Sequence, residues 1–293
     1  MATVGQWIQG ARLRTLPMAL APVIAGTAAA HSMRGANLTL AALALLVALF
    51  LQIGVNYAND YSDGIKGTDD NRVGPLRLVG SGAAPARHVF IAAIACFALA
   101  SAAGLTLILL SNQWWFAVVG ASAVFAAWGY TGGKRPYGYR GWGDLVVFVY
   151  FGLVAVLATT ITQAGKLNID AWIAASTTGL FACALLMVNN IRDIPGDREV
   201  GKRTLAVRLG DYKARVMFAG ELGLAFALHL FLVPFNVWML VVFLAAPLAL
   251  VAVRTVLFTR ERQALIPVLA LCGALNLVWS LLFLAAVLLR QMV

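Results

Sequence analysis

Residues 38–63 read LTLAALALLVALFLQIGVNYANDYSD. An uncharged, predominantly apolar run opens this stretch, and Asn59, Asp60 and Asp63 close it. A helix rises 1.5 Å per residue, so about 20 such residues span the roughly 30 Å hydrocarbon core of a bilayer. The same ending returns at Asn189-Asn190-Ile191-Arg192-Asp193, which also closes a long apolar run. Each copy places Asn, then Asp or Asn, then Asp at positions i, i+1 and i+4. More acids follow both copies, Asp69 and Asp70 in the first case and Asp197 in the second. Of the twelve Asp and Glu in the chain, seven lie in 60–70 and 193–199. Carboxylates at the ends of membrane helices are costly unless they face a cavity and bind something, most simply a divalent cation.

The rest of the 293-residue chain has the same character, 61% apolar and 12% charged, which excludes an ordinary soluble domain. Hydropathy predicts an all-α integral membrane protein of one domain, 1–293, with nine spans near 15–31, 38–57, 88–110, 114–130, 144–163, 170–190, 214–232, 235–254 and 265–289. The least distinct division is the seventh from the eighth, at Pro234-Phe235-Asn236. No cleavable signal peptide is expected. Both acidic motifs end an even-numbered span and so emerge on one face, as two related four-helix units plus a ninth helix would place them.

With nine spans, the face carrying both motifs and the N-terminus holds 19 of the 22 Lys and Arg, and the other face holds Arg34, Lys166 and Arg290. The positive-inside rule puts the N-terminus and the acidic loops in the cytoplasm and the C-terminus outside, in the plasma (inner) membrane of a bacterium. The net charge of +10 is thereby explained by topology, and no nucleic-acid partner is expected. Cys96, Cys183 and Cys272 stand singly in apolar spans without ligand spacing, as small packing residues. His31, His88 and His229 are equally scattered, with packing or interfacial roles expected.

On a helix, Asn59 and Asp63 share a face, as do Asp60 and Asp63 and as do Asn189 and Asp193. Pro195 is expected to interrupt the helix before Asp197, because the residue before a proline is pushed out of the helical region. Mg²⁺ takes hard oxygen ligands and commonly binds through one or two carboxylates plus substrate phosphates. Two facing clusters of this kind suit a diphosphate held through bridging Mg²⁺. Cations are interleaved with the acids: Lys66, Arg72 and Arg77 in one loop; Arg192, Arg198, Lys202, Arg203 and Arg208 in another; and Lys134 and Arg135 between them. Such groups stabilise charge on a departing diphosphate. Residues 74–82 are glycine-rich and could form a re-entrant cover. Gly196-x4-Gly201-Lys202 imitates a phosphate-binding P-loop, but Arg203 replaces the Ser or Thr and no strand precedes it.

These motifs resemble the UbiA superfamily of intramembrane aromatic prenyltransferases, and most of all its 1,4-dihydroxy-2-naphthoate branch. The likeness runs through Arg12 to Pro17, Asn56 to Asp63, Gly67 to Asp70, Gly74 to Val79, Tyr130 with Lys134, Asn189 to Asp197, and Gly201 to Leu205. It implies nine helices around a central cavity and Mg²⁺-dependent transfer of a polyprenyl group from its diphosphate to 1,4-dihydroxy-2-naphthoate, with loss of CO₂. Carried over by position, Asp60, Asp63, Asp69, Asp193 and Asp197 are the metal ligands, with Asp70 a rival to Asp69 because Gly67 stands where the common motif has its last Asp. Asp63, Asp193 and Lys134 carry the chemistry. Asn59, Arg72, Arg77, Tyr130, Asn189 and Lys202 bind substrate, and Arg14 is the candidate for the acceptor carboxylate. Two other readings stay open at this stage. One is the same chemistry on another aromatic acceptor such as 4-hydroxybenzoate. The other is a secondary transporter, although transporter sites lie near the midplane and these acids lie at helix ends. Chain length and oligomeric state are not legible here.

Overall fold

The computed structural model describes residues 2–67 and 76–292. Among these residues every regular element is helical. A short helix α1 (Val4–Gly10), closed by a capping box between Thr3 and Gln6, leads into α2 (Pro17–Ser32). There follow α3 (Leu38–Ile65), α4 (Ala86–Ser111), α5 (Phe116–Gly129), α6 (Gly143–Ala164), α7 (Ile169–Glu199), α8 (Asp211–Phe231), α9 (Val237–Phe258) and α10 (Gln263–Met292). Among the described residues seven helices are long and apolar enough to cross a membrane, or eight if the N-terminal segment Val4–Thr15 and α2, bent by 44°, make one span. Helix α5 has 14 residues, about 21 Å of rise, and is shorter than the bilayer core.

Asparagines start three of the long helices. Asn37 accepts from the N–H of Thr39 at 3.0 Å, Asn168 from Ala171 at 3.0 Å, and Asn236 from Trp238 at 3.1 Å, each satisfying donors that a helix start leaves open. The cap at Asn236 marks the division between α8 and α9 that hydropathy alone leaves faint.

Helix α7 departs from expectation at Pro195. The helix runs unbroken to Glu199 with the proline inside it. Proline has no N–H to offer the carbonyl four residues back, which is that of Ile191. That carbonyl accepts instead from the Arg262 guanidinium, which reaches across from the α9–α10 connection. A tertiary donor thus replaces the missing helical one. Asn189, Asp193 and Asp197 therefore lie at i, i+4 and i+8 on one face of one helix.

Packing around α7 depends on small residues. Helix α6 widens into a π-type turn over Phe148–Val154, and Gly152 there lies against Gly179 and the Ala175 carbonyl of α7. A β-carbon at Gly152 would come within 2.6 Å of both. Close approach through glycine is how membrane helices gain contact without a hydrophobic drive between them. Behind α7, the buried Trp279 of α10 stacks on Phe283 at 5.4 Å and meets Phe181 edge-on at 5.8 Å.

The two acidic helix ends meet at one end of the bundle, joined through the α5–α6 loop. Tyr139 of that loop donates to Asp63 on α3, and its carbonyl accepts from the Arg203 N–H beyond α7. At the opposite end, Ser32 accepts from Asn168, and the His31 carbonyl accepts from Gln291. Arg34, Lys166 and Arg290 belong to that second end.

Gly152→Leu is expected to destabilise the protein by about 1–3 kcal/mol through overpacking. Gly223→Ala, inside α8 with nothing within 4 Å of the added methyl, should instead be neutral to stabilising, by up to about 1 kcal/mol. Thermal unfolding in detergent checks the contrast.

Candidate active site

A cavity of about 1050 Å³ opens between α2, α3, α4, α5, α6 and α7. Its walls are apolar: Val47 and Leu51 from α3, Ile108 from α4, Val119 and Ala123 from α5, Phe151 from α6, and Leu186 from α7 all line it. Its head is polar, bounded by Asn59, Asp63, Arg77, Thr131, Asn189, Arg192 and Lys202. Along α3 the lining extends from Asp63 back to Ala44, about 28 Å of helix. The sequence therefore builds a hydrophobic tube with a charged mouth.

Asp63 lines the mouth, whereas Asp193 and Asp197 lie outside the lining and are held by the lining residues Arg192 and Lys202; each of these acids has its own partner. Asp63, 4% exposed, accepts from the Tyr139 hydroxyl at 2.8 Å through Oδ1, and its Oδ2 lies 3.6 Å from Arg77 Nη2. Asp193 is gripped by its neighbour Arg192, Nε to Oδ1 at 2.6 Å and Nη2 to Oδ2 at 2.7 Å. The same guanidinium donates to Asn189 Oδ1 at 2.9 Å, so it neutralises the face on which the second motif lies. Asp197 lies 3.4 Å from Lys202 Nζ. Short charge-assisted pairs of this kind make burial of carboxylates tolerable.

Asp60 is placed differently. Its Oδ2 accepts from the Leu78 N–H at 2.7 Å and its Oδ1 from the Val79 N–H at 3.0 Å, and it does not line the cavity. Both oxygens anchor the turn 76–84 onto α3 and hold Arg77 at the mouth. Lys134 is exposed and also lies outside the cavity lining, whereas Tyr130 and Thr131 of the same loop belong to it. Thr131 donates to Asn59 Oδ1 at 2.8 Å, and its carbonyl accepts from Lys66 Nζ. Partial burial lowers the Lys66 pKa, an effect opposed by the neighbouring Asp63. Arg14 lines the cavity from the N-terminal segment. The expected contributions of Asp69, Asp70 and Arg72 lie outside the described residues.

Four residues that sequence reasoning passed over also shape the site. Gln52 and Asn56 of α3 donate to Thr15 at 2.9 and 3.1 Å, and Asn56 also donates to the Ala11 carbonyl at 2.9 Å, which fastens residues 11–15 along the cavity. Both lie on the helical face that continues to Asn59 and Asp63, a signal available from spacing alone. Tyr137 donates to the Ala126 carbonyl at 2.7 Å, and burial pushes its phenol well above the ordinary tyrosine range, so it serves as a neutral donor. Tyr139 has no such sequence signature.

Residues 19–266 match the UbiA prenyltransferase family. The chain belongs to that family. A 1,4-dihydroxy-2-naphthoate octaprenyltransferase of Mycobacterium tuberculosis (strain ATCC 25618 / H37Rv) is 52% identical over 281 residues, covering 96% of this chain and 96% of that protein. The Escherichia coli (strain K12) protein of the same name is 37% identical over 97% of this chain and 96% of its own length. Among solved structures, an apo UbiA homolog from Aeropyrum pernix K1 superposes with a TM-score of 0.72 at 18% identity, covering 96% of this chain and 99% of that one. A UbiA homolog from Archaeoglobus fulgidus bound to GPP and Mg²⁺ gives a TM-score of 0.66 at 15% identity, covering 96% and 99%. At these identities the structures establish the shared UbiA fold.

In this UbiA-family chain the two acids of the first motif should therefore separate experimentally. Asp60→Asn is expected to lower the unfolding temperature and expose the turn 76–84 to limited proteolysis, because two backbone N–H groups lose a charged acceptor. Asp63→Asn should leave the digestion pattern of that turn unchanged.

Proposed function

We propose that the protein transfers a polyprenyl group from its diphosphate to 1,4-dihydroxy-2-naphthoate, with loss of CO₂, as a step of menaquinone biosynthesis. The observation that carries this reading is the charged mouth of a long apolar cavity, lined by Asn59 and Asp63 of α3 and by Asn189 and Arg192 of α7, with Asp193 held by Arg192 beside it. Relatives named for this reaction, alike over nearly the whole chain, supply the acceptor.

The donor set of the mouth is hard oxygen, from carboxylates and side-chain amides, which fits Mg²⁺ and not a soft metal. Among the described residues no three His, Cys, Asp or Glu come together to hold an ion alone, so diphosphate oxygens complete the coordination in this reading. Asp63 and Asn59 would hold one ion from α3, joined by Asp69, and Asp193, Asp197 and Asn189 the other from α7. Bound there, Mg²⁺ would neutralise charge that grows on the diphosphate as the allylic C–O bond breaks.

The chain's own residues do the rest. Arg77, Arg192 and Lys202 aim cationic donors at the leaving group, an interaction that strengthens as its charge develops and so lowers the barrier. The family resemblance adds Arg72 and Lys134 to these cations; Lys134 is exposed, next to Gly133 with its left-handed backbone. The apolar walls hold the tail and keep water from the allylic cation. Tyr130 borders the acceptor, and Arg14 orients its carboxylate. The entering carbon takes the ring position of that carboxylate, whose bonding electrons return to the ring as CO₂ leaves.

The whole chain works as one domain of nine membrane helices around the cavity, with α5 and the bent N-terminal pair as spans and the α3 and α7 ends as equivalents in two related four-helix units. The acidic end faces the cytoplasm of a bacterium and the C-terminus lies outside the plasma membrane, as the distribution of Lys and Arg directs.

Purified protein supplied with labelled polyprenyl diphosphate should release diphosphate only with an aromatic acceptor and divalent metal, and EDTA should abolish turnover. With 1,4-dihydroxy-2-naphthoate, CO₂ should match product mole for mole. Product that keeps its carboxylate, or a preference for 4-hydroxybenzoate, rejects the acceptor; flux in liposomes without chemistry rejects the enzyme. Lys202→Ala should slow transfer by about 10²–10³-fold, the scale of losing one oxyanion donor. Lys134→Ala should cost less, since its resting position is exposed.

A further inference from the structure

We propose that Tyr139 is a positioning residue that locks the two acidic motifs together, its hydroxyl orienting Asp63 and its ring holding the ammonium groups of Lys66 and Lys202. The inference rests on the metal–diphosphate reading above.

Three attachments place Tyr139 between the motifs. Its hydroxyl donates to Asp63 Oδ1 at 2.8 Å, on the α3 side. Its carbonyl accepts from the Arg203 N–H at 3.0 Å, on the α7 side. Its ring centroid lies 5.1 Å from Lys66 Nζ and 5.2 Å from Lys202 Nζ, within the range at which an aromatic quadrupole attracts an ammonium group. Lys202 in turn reaches Asp197 at 3.4 Å. Hydroxyl, ring and peptide of one residue therefore connect Asp63, Lys66, Lys202 and Asp197.

The division of labour follows from the chemistry. With Oδ1 of Asp63 taken by a phenol and Oδ2 facing Arg77, the carboxylate has one orientation instead of several. Lysine side chains carry large rotamer freedom, and a cationic donor that must be ordered when substrate arrives costs binding. An aromatic ring beneath both ammonium groups orders them beforehand without competing for the diphosphate as a carboxylate would. The hydroxyl thus serves the metal ligand, and the ring serves the diphosphate cations.

Tyr139→Phe keeps the ring and removes the hydroxyl; Tyr139→Leu removes both. Binding of Mn²⁺ in the presence of inorganic diphosphate, read by electron paramagnetic resonance on the detergent-solubilised protein, reports the first role without turnover. The KM for prenyl diphosphate against that for the acceptor reports the second. Tyr139→Phe should bind Mn²⁺ several-fold more weakly with its prenyl diphosphate KM at saturating Mg²⁺ near wild type. Tyr139→Leu should lose Mn²⁺ affinity and also raise that KM by about tenfold, with the acceptor KM unmoved, consistent with losing one hydrogen bond and two cation–π contacts. A Phe variant that binds Mn²⁺ like wild type, or variants that shift both KM values alike, would overturn the inference while wild-type Mn²⁺ binding leaves the function intact. Wild-type protein that retains no Mn²⁺ with diphosphate would overturn the metal–diphosphate reading itself.

Discussion

The constraint on which the structure depends is that carboxylates at the ends of apolar helices need partners. On insertion scales an Asp at the centre of a membrane helix costs about 2.5–3.5 kcal/mol, and the cost falls only where charge or hydrogen bonds answer it. Here each acid is answered in its own way. Backbone N–H groups hold Asp60, a phenol and a guanidinium hold Asp63, an adjacent guanidinium grips Asp193, and an ammonium faces Asp197. These partners are also what a diphosphate needs. Were Mg²⁺ held by these carboxylates, as proposed, Arg77, Arg192 and Lys202 would be available to pair with a diphosphate. The same charges that make the mouth tolerable without substrate make it receptive to substrate.

That exchange explains why the polar mouth surmounts a dry tube. Charge separation between an allylic cation and a diphosphate is favoured where fixed dipoles and ions surround the leaving group, and the cation survives where water is absent. The lining supplies both conditions within one cavity, with Asn59 and Asp63 at the polar end of α3 and Val47 and Ala44 deep along the same helix. Continuity of α3 and α7 to their acidic ends is therefore part of the proposed chemistry. In α7 that continuity relies on Arg262, which supplies the Ile191 carbonyl with the donor that Pro195 lacks.

Much of this was legible from the residues. Helical membrane character follows from the apolar runs, and the two motifs, expected on one face, are linked through Tyr139. Asn59, Asp63, Asn189 and Lys202 line the cavity. The interruption expected at Pro195 does not occur, because the remedy comes from Arg262, 71 residues away, and no local pattern encodes a tertiary donor. Asp60 and Asp63 look equivalent in sequence, yet the turn 76–84 folds back onto α3 and claims Asp60 for itself. Tyr139 has no sequence signature for the same reason: its contacts to Asp63, Lys66, Lys202 and Arg203 arise only when separate segments meet. Motifs declare which residues can do the chemistry; the loops decide which of them face it.

The central claim is that the α3 and α7 faces jointly hold metal and diphosphate. The most direct measurement is a structure of the protein with Mn²⁺ and a non-reactive thiolo analogue of a polyprenyl diphosphate, the metal located by anomalous scattering. The account predicts metal density flanked by Asp63 on one side and Asp193 and Asp197 on the other, with the prenyl tail along the apolar lining towards Ala44. Metal at one motif only, or a diphosphate bound away from the cavity mouth, would contradict it.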